Sequence, residues 1–281
     1  MSVKIITDSA SDLPASRHPA ISVLPMTITF GDRQYRDGEE LSNQRFYELL
    51  IESEQLPSTS QIGPAQFEEA FRAQVEEGHT VVAVILSGKL SGTYQSACIA
   101  AEEFPRQVFV VDSENAAMGE RVLVERAAQL VDQGLAAGEI AQRLETEKKD
   151  IRLIALLDTL EYLKRGGRIS KSAAAIGGML SIKPVIAIQN GEVCMLGKAR
   201  GSKNGNNLLM QEIQKTAGID FDRPYCLGYS GFHDDMLRKY IADSRSLWEG
   251  HAEHLPVGTI GATIGTHVGP GAVGVAFFQK G

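Results

Sequence analysis

Residues 81–96 read VVAVILSGKLSGTYQS, a stretch in which an apolar run gives way to serine and glycine just before a helical pattern begins. The apolar run, residues 81–86, predicts a buried strand, and residues 91–104 predict a helix. The first backbone N–H groups of a helix lack partners within it, and the helix dipole adds about half a positive charge there. This strand–turn–helix junction therefore predicts an anion site. Ser91 has a second interpretation, because serine is also a common helix N-cap.

The composition is that of a globular protein large enough for two α/β domains. The chain has 281 residues, of which 43% are hydrophobic and 22% are charged. Its formal net charge of -7 disfavours nucleic acid or an anionic bilayer as the main partner, since both require dense Lys and Arg on one face. Neither a signal peptide nor an apolar run of the roughly 18 residues that span a membrane is recognised. We expect a cytoplasmic protein that binds no nucleic acid and is not stably inserted in a membrane.

The cysteines and histidines do not form a recognisable ligand set. Cys98, Cys194 and Cys226 are far apart in the sequence and have apolar neighbours, which is typical of reduced core thiols. His251 and His254 share at most one helical face, and such pairs are usually solvated rather than bound to metal. We expect no metal and no cofactor.

The order of strand and helix patterns predicts an α/β protein of two domains. Alternating strands and helices in residues 1–150 predict a parallel-sheet α/β/α domain, interrupted at about residues 20–55 by an excursion with a hairpin over residues 21–35. In residues 151–281, Asn190-Gly191 between two apolar runs is a strong hairpin signal. This half is therefore predicted to be an α/β domain with a largely antiparallel sheet.

Three further segments hold candidate polar groups. Residues 56–61, Leu-Pro-Ser-Thr-Ser-Gln, place three hydroxyls and an amide in a predicted loop before a helix, although a capping loop would also explain them. His267 lies in a glycine-dense segment, residues 258–274, whose small residues permit close backbone approach, although a lone histidine is also often a buried core residue. Arg200 ends a predicted strand, and its guanidinium fits equally a surface charge or a clamp on an anion.

A basic turn lies at residues 163–170, where Arg165 and Arg168 flank a glycine pair. One interpretation is structural: a helix ends at the glycines, and Ser170 begins the next helix. The other is an exposed basic spot that contacts a phosphate or the acidic surface of a partner. We expect at least one of the two arginines to be accessible near the mouth of the binding site.

Six segments, in order along essentially the whole chain, resemble the DegV family. They are residues 6–14, 59–61, 90–97, 163–170, 181–184 and 267–277. The resemblance implies two α/β domains with a fatty acid buried between them. It also implies that Thr59 and Ser91, with Ser60 and Gly92 beside them, bind the fatty acid carboxylate, while His267 and Arg200 belong to the polar network nearby.

The chain departs from the family pattern at two of these segments. Relatives often have proline directly after Ser-Gln and a plain Ser-Ser-Gly-Leu-Ser turn, whereas this chain has Gln61-Ile62-Gly63-Pro64 and, at residues 87–91, Ser-Gly-Lys-Leu-Ser. Lys89 is expected to add a cation near the mouth of the site.

The family resemblance implies a carrier rather than an enzyme. Such a carrier binds a long-chain fatty acid, exposes its carboxylate to a separate ATP-dependent fatty acid kinase subunit, and afterwards holds the acyl phosphate. Arg165 and Arg168 are the candidates for contact with the kinase or the phosphate. The alternative is a serine-dependent hydrolase or acyltransferase with Ser91 as nucleophile and His267 as base, but the Gly-x-Ser-x-Gly motif of such enzymes is missing.

Overall fold

The computed structural model describes residues 2–14, 17–169, 182–248, 250–251 and 254–281. The strands are β1 (Val3–Asp8), β2 (Ile21–Leu24), β3 (Thr27–Phe30), β4 (Arg33–Arg36), β5 (Ser58–Ser60), β6 (Thr80–Ile85), β7 (Val108–Asp112), β8 (Ile151–Leu156), β9 (Ile182–Gln189), β10 (Glu192–Arg200), β11 (Tyr225–Tyr229), β12 (Val257–Thr259) and β13 (Val273–Phe278). The α-helices are α1 (Asn43–Glu52), α2 (Pro64–Glu76), α3 (Thr93–Ala101), α4 (Ala117–Asp132), α5 (Ala137–Glu147), α6 (Glu161–Arg165), α7 (Ser202–Gln214), α8 (Asp235–Asp243) and α9 (Ala262–Val268). Ser170, predicted to begin a helix, and Ser181 of the fifth family segment lie outside the described residues.

The N-terminal half of the chain builds a parallel sheet in the order β2-β1-β6-β7. Its inner strand β6 is buried from Val81 to Ile85, as expected for a strand that is covered on both faces. Helices α2 and α3 pack against one face, and α4 and α5 pack against the other. The predicted parallel sheet is confirmed.

The C-terminal half builds a six-stranded sheet in the order β10-β9-β8-β13-β11-β12. Every neighbouring pair is antiparallel except β11 and β12. Asn190 and Gly191 form the two-residue turn between β9 and β10 with φ angles of 51° and 81°, a conformation that asparagine and glycine tolerate. The predicted hairpin and the largely antiparallel sheet are confirmed.

Helix α4 lies between the two sheets. It contacts β1 and β6 of the parallel sheet and β8, β11 and β13 of the other sheet, and every residue from Ala117 to Val124 is buried. Its residue Met118 packs on Gly274 of β13, where a Cβ atom would come within 2.6 Å of the Met118 Cε atom. Glycine in the closing strand therefore allows the helix to approach the sheet closely.

The predicted hairpin over residues 21–35 is divided between two sheets. Residues Ile21–Leu24 join the parallel sheet as β2. The hairpin consists of β3 and β4, and β5 pairs with β3 to complete a small antiparallel sheet in the order β4-β3-β5. Pro25 separates the two parts, because proline has no N–H to continue a strand ladder. Residues 59–61, predicted as a loop, therefore begin on a strand.

The strands of the parallel sheet end by Asp112, and those of the six-stranded sheet begin at Ile151. The domain boundary near residue 150 stays a prediction. None of the helices in the described ranges has both the length and the hydrophobicity required to cross a bilayer.

Candidate functional site

An apolar cavity of about 230 Å³ is lined by residues from both halves of the chain. Its volume is many times the space that a single water molecule needs. Most of its wall consists of aliphatic side chains and alanines, namely Met26, Leu86, Leu90, Ala116, Ala117, Met118, Leu153, Ala155, Leu157, Leu163, Ile186, Ala187, Ile188, Val193, Ile260, Ile264, Val268 and Ala272. Such a wall favours a ligand that is largely hydrocarbon.

The wall of the cavity extends along strand β8. Alternate residues Leu153 and Ala155 of β8, and Leu157 directly after it, line the cavity. Because a strand rises about 3.3 Å per residue, these three side chains span about 13 Å. Ile186 and Ile188 of the antiparallel strand β9 line the same stretch. The shape suits an extended acyl chain.

The polar end of the cavity joins two distant parts of the sequence. The Oγ1 atom of Thr59, on β5, lies 3.0 Å from the Nε2 atom of His267, on α9. The two residues meet because α9 packs on β3 and β5 of the small sheet. The glycine-dense segment around His267 therefore contains a helix that was not predicted from the sequence.

Burial and the nearby charge of Arg168 lower the pKa of His267 to about 4, so the imidazole is neutral at pH 7. Its Nδ1 atom is buried and has no hydrogen-bond partner among the described residues. A proton on Nδ1 would be an unsatisfied buried donor, which favours the tautomer with the proton on Nε2. His267 Nε2–H then donates a hydrogen bond to the Thr59 hydroxyl oxygen, and the Thr59 hydroxyl can donate a hydrogen bond to an anion in the cavity.

The absence of a side chain at Gly166 leaves room for the imidazole of His267. A Cβ atom at this residue would overlap the Nδ1 atom of His267. The sequence had indicated the glycine pair only as the end of a helix, and α6 does end immediately before it. The contact with His267 is a second reason for glycine, and spacing along the chain gives no sign of it.

Ser91 and Gly92 line the cavity at the start of α3. The Ser91 Oγ atom accepts a hydrogen bond of 3.2 Å from the Thr93 N–H and lies 2.9 Å from the Thr93 Oγ1 atom. The N-cap of α3 is Gly92, so Ser91 lies one residue before the cap, where it partners the Thr93 N–H group and also lines the cavity. The binding of an anion by Ser91 stays a prediction. A Cβ atom on Gly92 would overlap the side chain of Gln61, the last residue of the predicted Thr-Ser-Gln segment, which also lines the cavity.

The two arginines of the basic turn occupy different environments. The Arg168 Nε atom donates to the Leu90 carbonyl oxygen at 3.1 Å and its Nη1 atom to the Gly166 carbonyl oxygen at 2.7 Å. Arg168 is thus partly buried in the cavity wall and links the turn to the segment before α3. The Arg165 side chain is 61% exposed and pairs with Glu161 at 2.7 Å. The arginines do not form one common exposed spot.

Three predicted residues lie away from the described cavity lining. Ser60 is exposed, because successive side chains on β5 point to opposite faces and Thr59 takes the inward one. Arg200 is exposed at the end of β10, an edge strand, opposite Ile182. Lys89 is exposed as well, with its Nζ atom 3.9 Å from the Glu192 Oε2 atom. The structure therefore brings Thr59, Ser91, Gly92, Arg168 and His267 to the cavity, without Ser60 or Arg200.

The family model described as "Uncharacterised protein, DegV family" matches residues 2–280. The chain belongs to the DegV family. A DegV domain-containing protein of Caldanaerobacter subterraneus subsp. tengcongensis is 36% identical over 99% of both chains. The solved structure of a fatty-acid-binding DegV family protein from Thermus thermophilus has a TM-score of 0.86, at 33% identity and with 100% of both chains covered. The fatty-acid-binding DegV family protein SAG1342 of Streptococcus agalactiae gives a TM-score of 0.87 at 26% identity, again over 100% of both chains.

Proposed function

We propose that this DegV protein binds one long-chain fatty acid, with the acyl chain along β8 and the carboxylate beside Thr59, Ser91 and His267. The observation that carries the proposal is a single elongated cavity with aliphatic walls that ends in hydroxyl and imidazole groups. Fatty acid binding by the DegV proteins of T. thermophilus and S. agalactiae supports the same class of ligand.

The acyl chain supplies most of the binding free energy. At about 0.8 kcal/mol per buried methylene, a chain of about 14 methylenes contributes a gross term on the order of ten kcal/mol, before the cost of ordering the ligand. The carboxylate loses its hydrogen bonds to water when it enters the cavity, and hydrogen-bond donors of the protein must replace them. The hydroxyls of Thr59 and Ser91 and the N–H groups at the start of α3 are suitable donors, and the Arg168 guanidinium supplies the positive charge that neutral His267 lacks.

The ligand is tested by extracting the purified protein with organic solvent and determining the mass of the released lipid. We expect one or a few free fatty acids in about equimolar amount with protein. Delipidated protein should also take up a fatty acid again. A protein that retains none and takes up none would contradict the proposal.

We further propose that the protein is the carrier subunit of a two-protein fatty acid kinase and that it performs no catalysis itself. A separate ATP-dependent kinase would transfer a phosphoryl group to the presented carboxylate, and the carrier would hold the acyl phosphate. A cytoplasmic location, where ATP and kinase meet the carrier, belongs to the same proposal, as does a cavity between two domains divided near residue 150. The exposed Arg165 is suited to contact the kinase.

The kinase proposal is tested by incubating the fatty-acid-loaded protein with ATP and a kinase from the same organism, and by trapping acyl phosphate with hydroxylamine as the hydroxamate. The product should form only when both proteins are present. Formation of acyl phosphate by the carrier alone would contradict the division of roles.

The alternative, a hydrolase with Ser91 as nucleophile and His267 as base, is less favoured by the hydrogen bonds. A nucleophile of this kind must lie within hydrogen-bond reach of its base. His267 Nε2 is paired with Thr59, and Ser91 Oγ contacts Thr93. Ester hydrolysis by the wild type that is lost in a Ser91→Ala variant would reverse this preference.

A further inference from the structure

Leu157 lies near the His267 end of the cavity, because the next residue, Asp158, packs against Gly271, four residues after His267. Leu153 lies at the other end of the stretch of β8 that lines the cavity, where strands β8 and β9 separate. Within the described strands, β8 pairs with β9 only over residues 154–156 and 185–187. Strand β8 nevertheless begins at Ile151, and β9 continues to Gln189. The two strands therefore leave a gap in the sheet beside the start of β8.

A polar cleft of about 570 Å³ lies beyond this gap. Charged side chains that line it include Lys149, Arg152 and Lys215. Leu153, Ala187 and Ile188 line both this cleft and the apolar cavity. The cavity and the cleft therefore share part of their walls.

We propose that Leu153 and Ile188 form the stop against which the methyl end of the bound acyl chain rests, and so limit its length. This inference rests on the proposed fatty acid binding. Leu153 is 7% exposed and Ile188 is partly buried, and both pack with the core between the sheets. A chain that ends at them stays within aliphatic walls, whereas a longer one must displace them toward the charged cleft.

The energetics of chain length favour a sharp limit at this point. Each methylene within the cavity improves affinity about fourfold, while one that enters the charged cleft gives no such gain. A longer chain must also move side chains out of a packed core. Affinity should therefore rise with chain length up to the stop and then level off or fall.

The stop is tested by substituting Ile188, the more exposed of the two residues. Ile188→Ala should lengthen the cavity and Ile188→Phe should shorten it, and Leu153→Phe should shorten it from the neighbouring strand β8. Ile241→Ala is the matched control, because it truncates another partly buried isoleucine, in the core on the far face of the sheet. Each delipidated protein is incubated with an equimolar mixture of saturated fatty acids of increasing length, freed of unbound lipid, extracted and analysed by mass spectrometry.

We expect the retained fatty acids to shift toward longer chains in Ile188→Ala and toward shorter ones in both phenylalanine variants, by about two carbon atoms or more. Ile241→Ala should keep the wild-type profile. Identical length profiles in loaded wild type and all loaded cavity variants would overturn the stop and leave fatty acid binding intact. Retention of no fatty acid by the wild type would overturn both proposals.

Discussion

Replacing Thr59 by valine removes the hydroxyl that contacts His267 and that we propose binds the carboxylate, while it keeps the branched shape of the side chain. In the wild type the Thr59 Oγ1 atom lies 3.0 Å from His267 Nε2 and lines the cavity. A hydrogen bond to a charged group contributes about 1.5–3 kcal/mol, so fatty acid affinity should fall about 10-fold to 150-fold. His267 also loses its partner, which leaves an unsatisfied buried N–H and should lower stability by about 1–3 kcal/mol.

The affinity is measured by titrating delipidated protein with palmitate in a calorimeter, and stability by urea unfolding. Ser60→Ala is the matched control, because Ser60 is the next residue of β5 but is exposed to solvent. Its affinity should equal that of the wild type. A long-chain alcohol serves as an uncharged ligand, and Thr59→Val should weaken its binding less than it weakens palmitate binding. Unchanged palmitate affinity in Thr59→Val, or an equal loss in Ser60→Ala, would refute the placement of the carboxylate.

Three further predictions concern the turn beside the cavity and the buried acids at the end of β1. Arg165→Glu should slow acyl phosphate formation by the kinase without changing palmitate affinity, because Arg165 is exposed. A normal rate of hydroxamate formation in the trapping assay would exclude Arg165 from the kinase contact. Gly166→Ala should weaken palmitate binding about tenfold or more, because the added Cβ overlaps His267 Nδ1. Burial raises the pKa of Asp8 to about 6 and that of Glu120 well above its usual value. Because the folded state binds these protons more tightly than the unfolded state does, the free energy of unfolding decreases as pH rises from about 4 through 6. The Tm of Glu120→Gln should therefore increase relative to that of the wild type as pH rises over this range. A Tm difference between the two proteins that stays constant with pH would show that Asp8 and Glu120 do not titrate there.

Gly167→Ala provides the control for the glycine variant. Gly167 has a φ angle of 70°, but a Cβ atom there would meet no other atom within 4 Å. The substitution should cost about 1 kcal/mol of stability and leave ligand affinity unchanged. An equal loss of affinity in both glycine variants would assign the effect to the turn as a whole rather than to His267.

Local sequence patterns predicted the elements near the site better than they predicted the site itself. The buried run of β6 and the Asn190-Gly191 turn are encoded by neighbouring residues, so both could be predicted. Helix α9 could not, because one glycine and four β-branched residues among its seven give it low helix propensity. Its stability comes from packing against α1, α6 and the small sheet.

The orientation of individual side chains depended on contacts distant in sequence. Thr59 faces the cavity and Ser60 faces solvent because Ile28 of β3 pairs with Thr59, which fixes the face of each residue on β5. Arg168 turns inward because the Leu90 carbonyl accepts its Nε–H across 78 residues of sequence. Arg200 lies on an edge strand outside the described lining, and only the register of β10 against β9 reveals this.

The most direct test of the proposed binding site is a crystal structure of the protein loaded with palmitate. We expect continuous density along β8, with a carboxylate oxygen within about 3 Å of the Thr59 and Ser91 hydroxyls and the methyl end against Leu153 and Ile188. A reversed chain with its carboxylate at Leu153, or a fatty acid bound outside this cavity, would contradict the proposed site.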